Sequence, residues 1–273
     1  MLHCIDSRNT RTLRVAQITD THLFADPSQR LAGLNTQISF QHTLDRLKRR
    51  HWPLDLVLAT GDLVHDGSPG GYARLQAQLA ALGVPVYCVP GNHDEREQLR
   101  RSLSWGKVRW VRYARHGAWA FLFLDSTLTG SDGGHLSDSE LAHLEDGLDR
   151  NRDRHILVCL HHQPVAIGSA WLDTMEVDNS DAFFGLLDAA PQVKGVVWGH
   201  IHQAFDRQRN GVHLLATPST CVQFQPHAAR FGLDSATPGY RWLDLHPDGR
   251  LTTGVERLEA YPDEFDLLRS GEY

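Results

Sequence analysis

Pairs of metal-binding side chains follow two apolar segments of this 273-residue chain. Asp20 and His22 come after LRVAQIT, and His200 and His202 come after KGVVWG. Residues two apart on an extended chain point to the same side, so each pair can face a single point. Carboxylate and imidazole groups placed in this way can hold a metal ion or transfer protons.

Three further apolar segments end in residues of the same kinds. Asp62 follows LDLVLAT and a glycine, Asn92, His93 and Asp94 follow PVYCVP and a glycine, and His161 ends HILVCLH. In open α/β sheets, ligands collect beyond the carboxyl ends of the strands, so we expect these groups to converge. The preceding glycines permit sharp turns and close approach of the backbone.

The combined donor set predicts a site for two metal ions. One tetrahedral ion needs fewer ligands, whereas two ions that share a bridging carboxylate would use them all. Oxygen and imidazole donors without thiolate favour Mn, Fe, Zn or Co. Taken singly, each residue is also typical of a turn, a helix cap or a structural imidazole. The predicted ligands are Asp20, His22, Asp62, Asn92, His161, His200 and His202.

Short apolar segments alternate with amphipathic ones, which predicts an α/β fold. The periodicity predicts helices over 38–50, 71–82, 137–149 and 180–190. Near the end of the chain, YRWLDLHPDGRLTTGVERL reads as a hairpin that turns at PDG. We expect one domain over 1–273, with the C-terminal hairpin and tail (about 240–273) as an appendage.

Composition restricts the classes of partner. The net charge of −6 gives no basic surface of the kind that nucleic-acid binding requires. The four cysteines are scattered without a CxxC pair, and the N-terminus has no apolar signal core, so we expect a reduced, cytoplasmic protein. No apolar stretch is long enough to span a membrane. The oligomeric state stays open.

The motifs DTH, GDLVHD, GNHDER, LHHQP and GHIH, in this order, resemble the signature of the calcineurin-like metallophosphoesterases. The match covers roughly residues 14–203, and the set is far more specific than any of its parts. The resemblance implies a four-layer α/β/β/α sandwich, in which two mixed β-sheets pack together between helices. It also implies a dinuclear metal centre that hydrolyses phosphate esters.

The resemblance assigns a role to each motif residue by its position. The ligands of one metal would be Asp20, His22 and His202. The ligands of the other would be Asn92, His161 and His200. Asp62 would bridge the two ions, His93 would be the catalytic histidine, and Asp94 would orient it.

Two positions depart from related patterns. Gln163 stands where the family often has proline. His161 is taken as the ligand because it aligns with the first histidine of the family motif. His162 is then a structural imidazole or a support for a neighbouring ligand. His65 stands where purple acid phosphatases have a tyrosine, so the chain is unlike that subfamily.

The downstream segments TPSTCVQFQP and FGLDSATPGYRWLDL, together with Arg96, resemble bacterial class III 3',5'-cyclic AMP phosphodiesterases. This likeness implies hydrolysis of cyclic AMP to AMP, with Fe and/or Mn as the metals, by in-line attack of a metal-bridging hydroxide. Asn92, His93 and Arg96 would then contact the substrate. Gln223 and Phe224 are candidates to face the base, with core packing as the alternative for Phe224.

Two other functions stay open at this point. The chain could act on another phosphodiester or on a nucleotide pyrophosphate. It could also be a non-catalytic member that binds a nucleotide or a protein partner.

Overall fold

The computed structural model describes residues 4–5 and 11–262 of the chain. The helices are α1 (Thr36–His51), α2 (Pro69–Ala80), α3 (Arg96–Ser102), α4 (Asp138–Asp149) and α5 (Ser180–Asp188), with a 3-10 helix at Leu172–Met175. The strands, in chain order, are β1 (Cys4–Ile5), β2 (Leu13–Ile18), β3 (Arg30–Leu31), β4 (Leu34–Asn35), β5 (Leu56–Thr60), β6 (Val86–Val89), β7 (Val108–Trp110), β8 (Tyr113–His116), β9 (Trp119–Phe123), β10 (His155–Cys159), β11 (Val193–Trp198), β12 (Phe205–Arg209), β13 (Val212–Ala216), β14 (Gln223–Phe224), β15 (Leu233–Asp234), β16 (Gly239–Leu245) and β17 (Leu251–Arg257).

Most strands belong to two mixed sheets. The six-stranded sheet has the order β17-β16-β2-β5-β6-β7, and its last four strands are parallel. The seven-stranded sheet has the order β1-β8-β9-β10-β11-β13-β12, in which β9, β10, β11 and β13 are parallel. The shared direction places the carboxyl ends of β2, β5 and β6 at one edge of the first sheet, and those of β10 and β11 at one edge of the second.

Three apolar layers separate four layers of secondary structure. Alternate residues of β2 and β5 point to opposite faces, as extended strands require. Val15 and Leu58 face the layer between the two sheets, whereas Ile18 and Val57 face the layer beneath α1, α2 and α3. A third layer joins α4 and α5 to the outer face of the other sheet. The predicted α/β/β/α sandwich is confirmed.

The four helices predicted from periodicity are all present, with ends that differ by a few residues. Ser137 caps α4, because its hydroxyl accepts a hydrogen bond from the Glu140 amide at 3.3 Å. Gly83 ends the α2 region with a φ of 76°. The short helix α3 was not predicted, since it carries only one buried apolar residue, Leu99.

The C-terminal hairpin is part of the sheet, which corrects its description as an appendage. Strand β16 lies between β17 and β2, and it pairs with β2 from Arg241↔Gln17 to Leu245↔Leu13. Leu243 and Leu245 are buried in the layer between the sheets, so the fold needs this strand to cover its core. The expected tail beyond residue 262 lies outside the described residues.

Within the described residues, none of the helices combines the length and the apolar character that crossing a membrane would require.

Candidate metal centre

The loops that carry the predicted ligands are joined by backbone hydrogen bonds. The Asp20 and His22 amides donate to the carbonyls of Gly61 and Asp62 at 3.0 and 2.9 Å, which ties together the loops after β2 and β5. The His200 amide donates to both carboxylate oxygens of Asp20 at 3.1 Å and so connects the two sheets. Six of the seven predicted ligands are buried, and Asn92 is partly buried.

The backbone at these positions adopts a conformation that L-residues rarely use. Eight non-glycine residues of the described chain have positive φ, and five of them are predicted ligands. Left-handed φ at a non-glycine residue is uncommon and clusters at functional sites, where the surrounding structure imposes it. The five are Asp20 (53°), His22 (44°), Asp62 (51°), His200 (64°) and His202 (50°).

One set of donor atoms contains Asp20, His22 and His202. The Nε2 atoms of His22 and His202 are 3.3 Å apart, and Nε2 of His202 is 3.3 Å from Oδ1 of Asp20. All three side chains are fully or almost fully buried. These are the residues that the family resemblance assigned to one metal.

The second set contains Asn92, His161 and His200. Oδ1 of Asn92 lies 3.2 Å from Nε2 of His161 and 3.1 Å from Nδ1 of His200. The Nε2 atom of His200 is buried without a hydrogen-bond partner. His200 therefore presents Nδ1, rather than Nε2, to the other donors of this set.

Asp62 lies between the two sets. Its Oδ2 atom is 3.4 Å from Nε2 of His161 and 3.8 Å from Nε2 of His22. Metal–ligand bonds of about 2.0–2.2 Å place neighbouring ligand atoms about 3.0–3.5 Å apart in tetrahedral or octahedral geometry. The separations within each set fall in this range, and of the two Asp62 separations one falls in it and the other, at 3.8 Å, lies slightly above it. The residues therefore fit two cations with Asp62 shared between them.

Outer hydrogen bonds engage Nδ1 of three imidazoles, so Nε2 is the nitrogen that each would turn to a metal. Carbonyl oxygens only accept, so Nδ1 of His161 donates to Thr60 and Nδ1 of His202 donates to Val222, each at 2.8 Å. Nδ1 of His22 instead meets Nδ1 of His65 at 3.0 Å. Such outer partners fix the tautomer and ring orientation of metal-binding histidines.

Burial and the two carboxylates determine the charge of the cluster. Burial lowers the pKa values of His22 and His200 well below the usual value, which leaves them neutral as metal ligands must be. Burial also lowers the pKa of His161, but the adjacent Asp62 carboxylate outweighs it and raises this pKa to about 9. Burial raises the pKa of Asp62, yet His161 and then His93 outweigh that effect and hold it well below its usual range.

These pKa values predict how the stability of the metal-free protein depends on pH. The pKa of His161 is raised from 6.5 to about 9 in the folded state, so its stabilising contribution is complete below pH 6.5. The contribution is lost as pH rises through 9, and its size is about 3 kcal/mol. Denaturant unfolding of chelator-treated protein between pH 6.5 and 10 measures the change.

His161→Gln serves as the comparison for this experiment. The two proteins share every other group that titrates in this range. A difference between their stabilities therefore reports the His161 imidazole. We expect the wild type to be more stable than the variant at pH 6.5 and the gap to close towards pH 10. A gap that stays constant across this range would contradict the Asp62–His161 pairing.

His93 lies beside the donor sets rather than within them. Its ring stacks on His65, with centroids 4.6 Å apart, and meets His22 edge-on at 5.1 Å. Its backbone amide donates to Oδ1 of Asp62 at 2.9 Å. The ring is partly exposed at the side of the cluster, where a substrate could reach it.

Asp94, which the resemblance expects to orient His93, connects two loops. Its carboxylate accepts hydrogen bonds from the amides of Leu63, Val64 and Gly91 and from the Tyr72 hydroxyl, at 2.8–3.2 Å. A carboxylate offers about four acceptor sites, and these donors occupy them. Asp94 therefore holds the loop of Asp62 against that of His93. Burial, followed by the charge of Asp62, raises the pKa of Asp94 to about 6, so it is ionised at neutral pH.

Gln223 and Phe224, the candidates to face a base, are both buried in this structure. The Gln223 amide donates to the carbonyls of Ser219 and Cys221 and accepts from Arg257. Phe224 is 3% exposed, and its ring stacks on His202 with centroids 4.0 Å apart. Both residues support the loop that holds His202.

The contacts of Arg96, His162 and Gln163 show what each side chain does in the fold. Arg96 is half-exposed and pairs with the buried Asp125 carboxylate at 2.5 Å. Nδ1 of His162 is 2.8 Å from the Ser126 hydroxyl, and the ring packs against His200. The Gln163 amide donates to the Leu172 carbonyl. His162 thus lies behind the predicted ligand His200.

Two residues that hold the site were not among those predicted from the sequence. His65 contacts both His22 and His93, and its position three residues after Asp62 was the available signal. Tyr72 donates to Asp94 from α2, and no motif marks it. Gly91 was expected to allow close approach, and a Cβ there would overlap the Asp62 carboxylate.

Comparison with known proteins identifies the family to which this arrangement belongs. A family model described as calcineurin-like phosphoesterase matches residues 13–204. The chain belongs to the calcineurin-like phosphoesterase family. Membership confirms the resemblance seen in the motifs and the prediction that the chain is a hydrolase of phosphate esters.

Relatives within the calcineurin-like phosphoesterases match most of the chain. A Pseudomonas aeruginosa protein named 3',5'-cyclic adenosine monophosphate phosphodiesterase CpdA is 43% identical over 257 residues, 94% of each chain. The Escherichia coli K12 protein of the same name is 42% identical over 247 residues, 90% of each chain. A dimetal phosphatase from Danio rerio superimposes with a TM-score of 0.59 at 16% identity, over 90% of this chain and 99% of its own, which shows a shared fold.

Proposed function

We propose that this protein hydrolyses 3',5'-cyclic AMP to AMP at two divalent cations, by in-line attack of a hydroxide held between them. The observation that carries the reaction class is the position of Asp62, whose Oδ2 atom lies within 4 Å of donors from both sets. Relatives that are 38–43% identical over at least 90% of the chain and named as cyclic AMP phosphodiesterases support the choice of substrate.

The residues would hold the two ions in overlapping sets. Two cations bound here would supply an ionised water near neutral pH and neutralise charge on the phosphoryl oxygens. The mixture of carboxylate, amide and imidazole donors fits Fe and/or Mn, with Zn or Co also compatible. One set is Asp20, His22 and His202, the other is Asn92, His161 and His200, and Asp62 is common to both.

His93 would protonate the leaving oxygen. An alkoxide leaves poorly without a proton, and a positioned imidazole can provide it. The stacked ring of His65 and the hydrogen bond from the His93 backbone N–H to Oδ1 of Asp62 hold this residue at the edge of the donor sets. Asn92, in addition to holding a metal, would contact the phosphate.

We place this activity in the cytoplasm. The cysteines whose side chains the structure describes, Cys88, Cys159 and Cys221, are buried and unpaired. Burial raises their pKa values, which keeps them as unreactive thiols. A reducing compartment suits this state.

One assay tests the proposal. Purified protein, stripped with a chelator and then reloaded with Mn or Fe, is incubated with cyclic AMP, cyclic GMP and bis(4-nitrophenyl) phosphate. We expect AMP to form only with metal present. Hydrolysis of the aryl diester without turnover of cyclic AMP would indicate a phosphodiesterase with another substrate. No hydrolysis of any of the three esters would contradict the reaction class.

A further inference from the structure

A cavity of about 570 Å³ opens beside Asn92, between α3 and the loop at 127–130. A second cavity of about 440 Å³ shares its walls at Arg96, Arg100 and Trp110. Volumes of this size are typical of small-molecule sites. Because the cavity starts at the proposed metal ligand Asn92, it can hold the part of a substrate that projects from the phosphate.

The side of the metal centre next to His202 is less suited to hold the part of a substrate that projects from the phosphate. The cavity next to His202 is smaller, about 330 Å³. Gln223 and Phe224 are buried behind His202, and their polar and aromatic groups are already engaged within the protein. The side that adjoins α3 therefore offers the larger space and the exposed side chains.

Two charged residues of α3 face this cavity without ion-pair partners among the described residues. Glu97 and Arg100 are exposed, line the cavity and lie three residues apart, which places them on one face of the helix. Arg96, in contrast, is neutralised by Asp125. Glu97 thus provides a free acceptor next to the free donors of Arg100.

Trp110 provides an aromatic surface where the two cavities meet. It ends β7, and its backbone amide donates to Leu103 at 2.8 Å, so its main chain is fixed. Trp110 as a whole is partly buried, because it packs against the apolar layer beneath α1, α2 and α3, and it lines both cavities. Stacking on an aromatic side chain binds any nucleobase, because every base has a π-face.

We propose that this cavity binds the nucleoside part of a purine nucleotide and selects adenine over guanine, with the base stacked on Trp110 and its edge read by Glu97 and Arg100. The inference rests on the proposed function, in which the phosphate lies at Asn92. Adenine presents an N6 donor beside the N7 acceptor, which matches a carboxylate next to a guanidinium. Guanine presents O6 and N7, both acceptors, so its O6 would meet the Glu97 carboxylate unfavourably.

The selectivity test compares kcat/KM for cyclic AMP and cyclic GMP. We expect the wild type to prefer cyclic AMP and Glu97→Gln to lower the ratio about tenfold, because an amide can accept from N6 or donate to O6. Arg100→Gln should reduce kcat/KM for both nucleotides alike, since both bases carry N7. Arg101→Gln, an exposed neighbour that lines neither cavity, is the matched control.

The stacking test uses Trp110→Leu. We expect the ratio of kcat/KM for cyclic AMP to that for bis(4-nitrophenyl) phosphate to fall about tenfold or more, because the aryl diester has no nucleobase. Trp105→Leu is the control, since Trp105 is 67% exposed and lines neither cavity. An unchanged ratio in Trp110→Leu would overturn the stacking role.

Failure of this inference can be separated from failure of the proposed function. A wild type that prefers cyclic GMP, or a Glu97→Gln ratio equal to that of the wild type, would overturn the nucleoside site while leaving the phosphodiesterase intact. If the wild type hydrolyses only the aryl diester, titration calorimetry of 5'-AMP and 5'-GMP binding tests the nucleoside site without turnover. Tighter binding of 5'-AMP that Glu97→Gln removes would support the site, and equal affinities would overturn it.

Discussion

Asp62→Asn is expected to lower kcat for cyclic AMP by about 10³-fold or more, with loss of at least one bound metal. Oδ2 of Asp62 faces His161 of one donor set and His22 of the other, at 3.4 and 3.8 Å. The amide of asparagine has a similar shape but no charge, so it cannot bridge two cations as a carboxylate does. Metal content by plasma mass spectrometry and kcat, measured on the same preparation, give the result.

Asp45→Asn is the control for Asp62→Asn. Asp45 is an exposed carboxylate on α1, away from the donor sets, so the variant should keep both metals and its turnover. If Asp62→Asn retained two metals per chain and near-normal kcat, the shared position assigned to Asp62 would be wrong.

The second large effect concerns His93. We expect His93→Ala to lower kcat for cyclic AMP by about 10²–10⁴-fold, the range for loss of a general acid. Its ring packs beside His65 and His22 but belongs to neither donor set, so metal content should be nearly unchanged. The loss should be much smaller for bis(4-nitrophenyl) phosphate, because a nitrophenolate leaves without a proton.

His42→Ala, at an exposed position on α1, controls for the removal of an imidazole. Two results would count against the role of His93. An equal loss with both substrates would exclude proton donation to the leaving group. Loss of both metals would show that His93 supports the metals rather than the substrate.

The sequence predicted the fold and the positions of the donors because both depend on strand ends. Short apolar segments marked β2, β5, β6, β10 and β11, and parallel strands end at the same edge of a sheet. The resemblance to the family then predicted the four layers. Convergence of the loops followed from these two facts.

Side-chain direction could not be predicted in the same way. Asp94 follows His93 in sequence, yet its carboxylate turns back to the amides of Leu63 and Val64. Gln223 folds onto its own loop, where two carbonyls are close enough to accept from its amide. Contacts of this kind depend on how two loops meet, which no local pattern records.

Strand β16 and helix α3 show two other reasons for missed features. The hairpin was recognised, but its place beside β2 depends on long-range pairing, which neither the turn motif nor the alternation specifies. The seven residues of α3 include one buried side chain, so no apolar stripe marks the helix. Its capping residue Glu95 and tertiary packing define it instead.

Anomalous diffraction from crystals loaded with Mn tests the central claim most directly, because it locates each cation independently of activity. We expect two peaks about 3.5–4 Å apart, with the Asp62 carboxylate between them. One peak should lie among Asp20, His22 and His202, and the other among Asn92, His161 and His200. A single peak, or two peaks with Asp62 bound to neither ion, would contradict the dinuclear centre.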